Sequence, residues 1–382
     1  MEPIPHTPDP IDMPSIPNTP AADGTAMPIS DEAERLKAER LKQQALQWVA
    51  LEEAQNFLAQ MTRLHDNDKA YDAGQVRDQA LKFLAPPEAA VASLSAVSLM
   101  DDYWGYIDRR KESVPTGLHG LDELLNGGLE AKRLYVLLGA PGGGKTTLAN
   151  QIAAQVADAG CPALYVTSED TPFTLLAKTL ARLGPLEYNT ILKGTEREQI
   201  NRAIQIYRGR PGAGRLHYLD ASYMTLSADD LRQQASAHFK RFPQAGQRLL
   251  VVDYLQRLAR MQETYSSGRM DLRQSVSLLT ERLRSLAVEL DCSVLALASQ
   301  HRASGYGVGG NVLASAKESG DIEYTADVIM AIGNDEERST GHAFLSAKIL
   351  PLEKNRQGHT GRIALDWDAD RQQFLEVAQK SQ

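Results

Sequence analysis

From Asp31 onward, apolar residues recur at three- to five-residue spacing: Leu36, Leu41, Ala45, Trp48, Val49, Leu58 and Met61. With acids at 31, 32 and 34 where a helix N-terminus favours them, this spacing predicts one long amphipathic helix near 31–64. A second is predicted over 68–84, from Tyr71, Val76, Ala80, Leu81, Phe83 and Leu84, and it stops at Pro86-Pro87. A third, from Ser98 to Arg110, sets Leu99, Tyr103, Tyr106 and Ile107 on one stripe. The periodicity suits a small bundle, a coiled-coil arm or an oligomerisation collar equally. Ahead of these helices, eight of the eighteen prolines crowd into residues 3–28 among Asp, Thr, Ser and Asn. A segment that can neither repeat a hydrogen-bond ladder nor bury an apolar face is predicted to be a disordered arm, the alternative being a peptide ligand for a partner.

After Pro115 the pattern becomes β-branched and apolar runs alternating with helical stretches. Leu134–Leu138, Ala163–Thr167, Leu249–Val252 and Val294–Ala298 are near-continuous apolar runs of strand length. Such runs suit strands covered on both faces, so an α/β fold with a parallel sheet is expected. Val328–Ile332, Phe344–Lys348 and Arg362–Trp367 read as further strands on one side of that sheet. The chain thus divides into an arm (1–29), a helical region (30–97), a linker helix (98–114) and an α/β domain (115–382).

Charge sharpens this division. The formal net charge of -8 comes from four acids without Lys or Arg in 1–30 and fifteen acids against eleven bases in 31–114, which leaves 115–382 neutral. Bulk charge therefore gives no sign of a basic nucleic-acid binder, although a local basic groove stays open. No window approaches ~18 consecutive apolar residues and the first thirty lack a signal-peptide pattern, so a soluble, cytoplasmic chain with no membrane partner is expected. Cys161 and Cys292 each precede an apolar run and read as reduced core thiols.

The sharpest chemical signal is Gly139-Ala-Pro-Gly142-Gly143-Gly144-Lys145-Thr146, which satisfies G-x-x-x-x-G-K-[ST] between a strand and a helical pattern beginning at Thr147. Glycines at this spacing let backbone N–H groups turn onto phosphate oxygens. Lys145 neutralises the β- and γ-phosphates and the Thr146 hydroxyl ligates Mg²⁺, so ATP and Mg²⁺ are the expected ligands, with Thr147 completing the loop's contacts. A carboxylate at a neighbouring strand end must hold the metal's waters, and Asp253, closing Leu249–Val252, is placed for it. Glu169, after Ala163–Thr167, is the candidate general base; Asp170 is its rival, and a helix-capping role for Glu169 is the bland reading.

The motifs in series resemble the RecA-like ATPase domain of DnaB-type replicative helicases. They are Thr116-Gly-Leu-His-Gly-Leu-Asp122, Asn126-Gly-Gly-Leu129, the phosphate loop, Ser168-Glu169, Val251-Val-Asp-Tyr-Leu-Gln256, Ala298-Ser-Gln300-His-Arg302, Lys317-Glu-Ser-Gly320-Asp-Ile-Glu323, Ala326-Asp-Val-Ile329 and Lys354-Asn-Arg356-Gln-Gly358-His-Thr-Gly361. The resemblance spans roughly 115–376. It implies an ATP hydrolase in a homo-oligomeric ring, of six subunits in this family, that moves on single-stranded DNA and unwinds duplex during replication. By the same resemblance Glu169 orients or deprotonates the attacking water, Asp253 anchors the Mg²⁺ shell and Gln300 reports the γ-phosphate. Lys354 and Arg356 would reach the neighbouring subunit's nucleotide as piston and arginine finger. Channel loops would present Lys317, Glu318 and Gly320, and the segment with Arg257, Arg260, Arg269 and Arg273, to the DNA backbone.

Two departures stand out. Lys317 occupies a position where family members commonly have Arg, and the stretch before it, Gly305–Gly310, is glycine-rich without a cation. Residues 31–114 are also short for the family's N-terminal collar, through which replication partners would be met. A regulatory or helicase-loading ATPase without unwinding activity is the alternative. Asp366-Trp-Asp368-Ala-Asp370 mimics a calcium loop, but Arg371 replaces the required Gly and no Glu closes the loop, so a terminal hairpin is expected there.

Overall fold

The computed structural model describes residues 95–377 apart from 102, 111–112, 185, 224–225, 264–271, 300–319, 339, 341 and 343. The arm and the helices expected over 31–64 and 68–84 lie outside the described residues. Within the segment expected as a linker helix, α1 (Ala96–Asp101) and α2 (Tyr103–Arg110) are helical. They leave Val97, Leu99, Met100, Tyr103, Trp104 and Tyr106 exposed.

One sheet organises the rest. Its strands are β1 (Arg133–Gly139), β2 (Ala163–Thr167), β3 (Leu216–Asp220), β4 (Leu249–Asp253), β5 (Ser293–Ser299), β6 (Val328–Asn334), β7 (Leu345–Asn355), β8 (Gly361–Asp368) and β9 (Gln373–Glu376), in the order β3-β2-β4-β5-β1-β6-β7-β8-β9. The first six of that order pair in parallel, and β6 to β9 continue as an antiparallel meander on one side. All the strands expected from the sequence are present. The pattern did not signal β3 or β9. Of β3 only Leu216 is buried, because it is an edge strand; its His-Tyr-Leu-Asp sequence carries no apolar run. The short β9 closes a hairpin with β8, the turn expected in place of a calcium loop.

Burial on both faces explains the continuous apolar runs. Along β1, Leu134, Val136 and Leu138 enter one core while Tyr135 and Leu137 enter the other. Helix α3 (His119–Leu124) and helix α4 (Lys145–Asp158) cover the second face, α4 through Leu148, Ile152 and Val156. On the first face lie α8 (Ala228–Phe239), α9 (Leu255–Glu263) and α10 (Leu272–Glu289), the last through Val276, Leu279 and Leu283. Between β2 and β3 run α5 (Pro172–Leu183), α6 (Tyr188–Lys193) and α7 (Arg197–Arg208); α11 (Gly320–Thr325) precedes β6. Cys161 and Cys292 are both free, Cys292 fully buried.

Two of the motifs turn out to hold the scaffold. Asp122 Oδ1 accepts from the Thr116 amide and hydroxyl, each at 2.7 Å, which fastens the chain entering α3. Asp327 Oδ2 accepts from the Leu134 amide at 2.9 Å and from Arg284 Nε at 2.8 Å, tying β6 to β1 and α10.

Candidate nucleotide site

Parallel strands present their C-terminal ends along one edge, and in open α/β sheets that edge is where ligands bind. Here the register brings Gly139 opposite Ser299 and Thr167 opposite Asp253. Gly139 opens the loop that leads into α4. Gly144 caps that helix with φ +102°, and a Cβ there would lie 2.6 Å from Phe374 Cζ. Gly142, also in the left-handed region at φ +72°, faces open space. The loop is thus fixed by conformation on one side and by packing on the other. Lys145 Nζ donates to the Gly139 and Ala140 carbonyls at 2.9 and 3.0 Å. Burial lowers its pKa against the opposing pull of Asp253 and Glu169. This is a desolvated cation held at the mouth of the loop, where an entering polyphosphate would replace the carbonyls as its partner.

Asp253 is buried and accepts the Tyr165 hydroxyl at 2.7 Å through Oδ2. Its carbonyl accepts the Ser168 amide and hydroxyl, each at 2.8 Å, which locks the ends of β2 and β4 together. Burial raises the Asp253 pKa from 3.8 to about 6; hydrogen bonds from Tyr165 and Thr146 resist the rise, and Asp170 and Glu169 add to it. The displacement is worth about 3 kcal/mol against the ionised form. Because the folded state holds its proton more tightly, stability falls as pH rises from about 4 to about 6, and the loss persists at pH 7. Asp253→Asn keeps an acceptor for Tyr165 and removes the charge. Its Tm in chelator-treated, nucleotide-free protein at pH 7 is expected to exceed the parent's by about 5 °C. Calorimetry that finds it equal to or below the parent's would sink this account.

The two candidate bases separate on their partners. Asp170 pairs with Lys178, which engages its carboxylate, and its carbonyl accepts the Thr167 hydroxyl at 2.6 Å. Glu169 is exposed and is hydrogen-bonded by the half-buried Tyr254. The loop, both acids, Asp253 and Tyr254 line one cleft of ≈ 370 Å³, closed on another side by Ser299, Trp367 and Gln372. Trp367 stacks on Phe374 with centroids 4.5 Å apart. Tyr165, Lys178 and Gln372 were not singled out from the sequence, and Tyr254 and Trp367 were quoted there only within motifs, without a role in this site. Gln256, quoted there without a role, brackets Ser299, its amide nitrogen donating to the carbonyl and its oxygen accepting the N–H, both at 3.2 Å. A polar residue inside an apolar strand, as Tyr165 is, was the one available hint. The donor set fits a magnesium–nucleotide: a hydroxyl at Thr146 bonded to a carboxylate at Asp253, beside a buried lysine.

Lys354 and Arg356 do not line this cleft. Lys354, on β7, donates to the carbonyls of Ala326 at 2.7 Å and of Glu323, and Arg356 donates to that of Tyr324, so both hold the C-terminal end of α11. Gly320 begins α11. On α9, Arg257 is half-buried and donates to the Ser222 carbonyl at 3.4 Å, while Arg260 is exposed. Gln300, Arg269, Lys317 and Glu318 lie outside the described residues. So does the Gly305–Gly310 stretch. No helix among the described residues is long and apolar enough to cross a membrane.

Residues 113–376 match the family described as the DnaB-like helicase C terminal domain. Among curated relatives, the replicative DNA helicase DnaB of Leifsonia xyli subsp. xyli is 27% identical over 71% of this chain and 57% of its own length. That of Mycoplasma pneumoniae is 26% identical over 68% and 56%, and that of Haemophilus influenzae 25% over 77% and 60%. The chain therefore spans a little over half the length of these relatives. Among solved structures, one described as an ATPase domain superposes with a TM-score of 0.63 at 18% identity, over 75% of this chain and all of that one. A DnaB-like replicative helicase described with its interactions with primase gives 0.61 at 16% identity, over 88% and 78%. The α/β fold is thus that of DnaB-like ATPase domains.

Proposed function

We propose that this chain, which belongs to the family of DnaB-like helicase C-terminal domains, is an ATP-driven motor that assembles into a ring, moves along single-stranded DNA and separates duplex strands. The observation that carries the reading is the convergence of Lys145 and Thr146 from one loop with Asp253 and Glu169 from two other strand ends on a single cleft. In that cleft, Lys145 neutralises the β- and γ-phosphates. Glu169 takes a proton from water as its oxygen bonds to the γ-phosphorus and the bond to the β-phosphate oxygen breaks, leaving ADP and phosphate. Magnesium held near Thr146 and Asp253 would neutralise charge that develops on the phosphates. Tyr254 orients Glu169 through its hydroxyl, and Trp367 offers an aromatic wall on which a base can lie.

Lys354 and Arg356 are the cations this chain offers to a neighbour, since its own cleft does not contain them. The exposed apolar side chains of α1 and α2 suit a linker that docks on the adjacent subunit, and the acidic region ahead of it suits replication partners such as a primase. DNA contact falls to Arg257, Arg260, Arg269, Lys317, Glu318 and Gly320, a set too small to read sequence, as a motor in the cytoplasm requires.

The testing measurement is ATP turnover with and without a single-stranded oligonucleotide, paired with strand displacement from a forked duplex. Stimulation of several-fold together with displacement is expected. Turnover indifferent to DNA, without displacement, would replace the motor by a regulatory or loading ATPase.

A further inference from the structure

A second cavity, of ≈ 190 Å³, lies behind the loop helix, framed by α4, α5, the end of α7 and β9. Its wall carries the two guanidinium groups of Arg182 and Arg210, and only one is balanced. Arg210 pairs with Asp158 through Nε at 2.9 Å and through Nη2, and the other oxygen of Asp158 accepts the Gly212 amide at 3.2 Å. That carboxylate is fully engaged. Arg182 is half-buried and, among the described residues, donates to neutral acceptors alone: the Thr179 hydroxyl at 2.9 Å and the Gln372 and Asn150 carbonyls at 3.3 and 3.5 Å. No carboxylate among the described residues pairs with it, and partial burial lowers its pKa to about 10. The phenols beside it, Tyr207 and Tyr218, are kept protonated by burial and add no negative charge.

A charge partly withdrawn from water and left without an acid gains from a counter-ion. A guanidinium has five N–H donors in a planar fork, and Arg182 uses three hydrogen bonds. A polar cavity of this volume, with a net excess of one cation, has the chemistry of an oxyanion site. We infer that the Arg182 cavity binds a phosphoryl oxyanion, separately from the nucleotide cleft. The two sites share a wall at the β8–β9 turn, where Gln372 lines the cleft and Gln373 lines the cavity. The inference does not depend on ATP turnover or on DNA.

The test uses the full chain carrying Lys145→Ala, which weakens phosphate uptake by the loop, so that the Arg182 variants report on the second site. At constant ionic strength, saturating inorganic phosphate is expected to raise Tm by about 5 °C, and titration calorimetry should return one site. Arg182→Met removes the cation, and Ala154→Leu fills the cavity from α4 without touching it; each is expected to weaken phosphate binding at least about tenfold. A parallel arm with AMP decides whether a free ion or a phosphoryl group on a nucleotide is held. Loss of binding in either variant supports the site. No phosphate or AMP binding by the parent, or parental affinity in both variants, overturns it.

Discussion

Lys145→Ala is expected to lower ATP turnover by about 10³-fold or more while leaving the fold intact. The size follows from where the ammonium sits. It is almost excluded from solvent, and it is held by the Gly139 and Ala140 carbonyls at 2.9 and 3.0 Å. In such surroundings a charge acts on developing phosphate oxygens far more strongly than in water, and among the described residues no second cation lies on that side of the cleft to substitute for it. Lys178 is within the same cleft but is committed to Asp170. Removing Lys145 frees two loop carbonyls at a cleft open to water, so the effect on Tm should stay within a few degrees. A turnover assay at saturating ATP and a melting curve on the same preparation check both parts. Turnover within tenfold of the parent would mean that the cleft is not the site of hydrolysis.

Mixing two inactive variants should restore activity. Arg356→Ala alone is expected to lose about 10³-fold in turnover, as removal of an arginine finger does. Its own cleft remains complete, because Arg356 lies at the end of α11 and not among the residues of that cleft. A Lys145→Ala subunit has the converse composition, a disabled cleft with an intact finger. In a ring with head-to-tail interfaces, a random equimolar mixture places the intact halves together at about one quarter of the sites. DNA-independent turnover should therefore reappear on mixing, up to roughly that fraction of the parent. Failure of any recovery, with gel filtration showing mixed assemblies, would assign Arg356 to its own subunit. The same geometry has a structural consequence. Arg356 and Lys354 hold carbonyls at the end of the helix that follows residues 300–319, so an arginine drawn to a neighbour's phosphate must leave Tyr324.

How much of this was legible beforehand depends on how local each feature is. The loop from Gly139 to Thr146 is contiguous, and its glycine spacing reports backbone conformation directly. The structure bears this out in the left-handed φ of Gly142 and Gly144. Strands β1, β2, β4 and β5 were legible because a strand buried on both faces has to be apolar at every position. Edge strand β3 lacks that constraint, and β9 is four residues long. Glu169 was placed ahead of Asp170 from the sequence, but their surroundings were not legible there: Lys178, on α5, engages Asp170, while Glu169 is exposed.

The sequence by itself determined the α/β class, the loop, and the acidic partners at two strand ends, since each follows from hydrophobic period or from residue types a few positions apart. Only the tertiary structure decided what surrounds them. It set Tyr165 on Asp253 across 88 positions, closed the cleft with Trp367 and Gln372 from the far end of the chain, and set Lys354 and Arg356 on the carbonyls at the end of α11, outside that cleft. Among the described residues it also left Arg182 without an acid. Such outcomes depend on strand order and on which side chains share a dehydrated volume, and neither quantity is written in the spacing of residues along the chain.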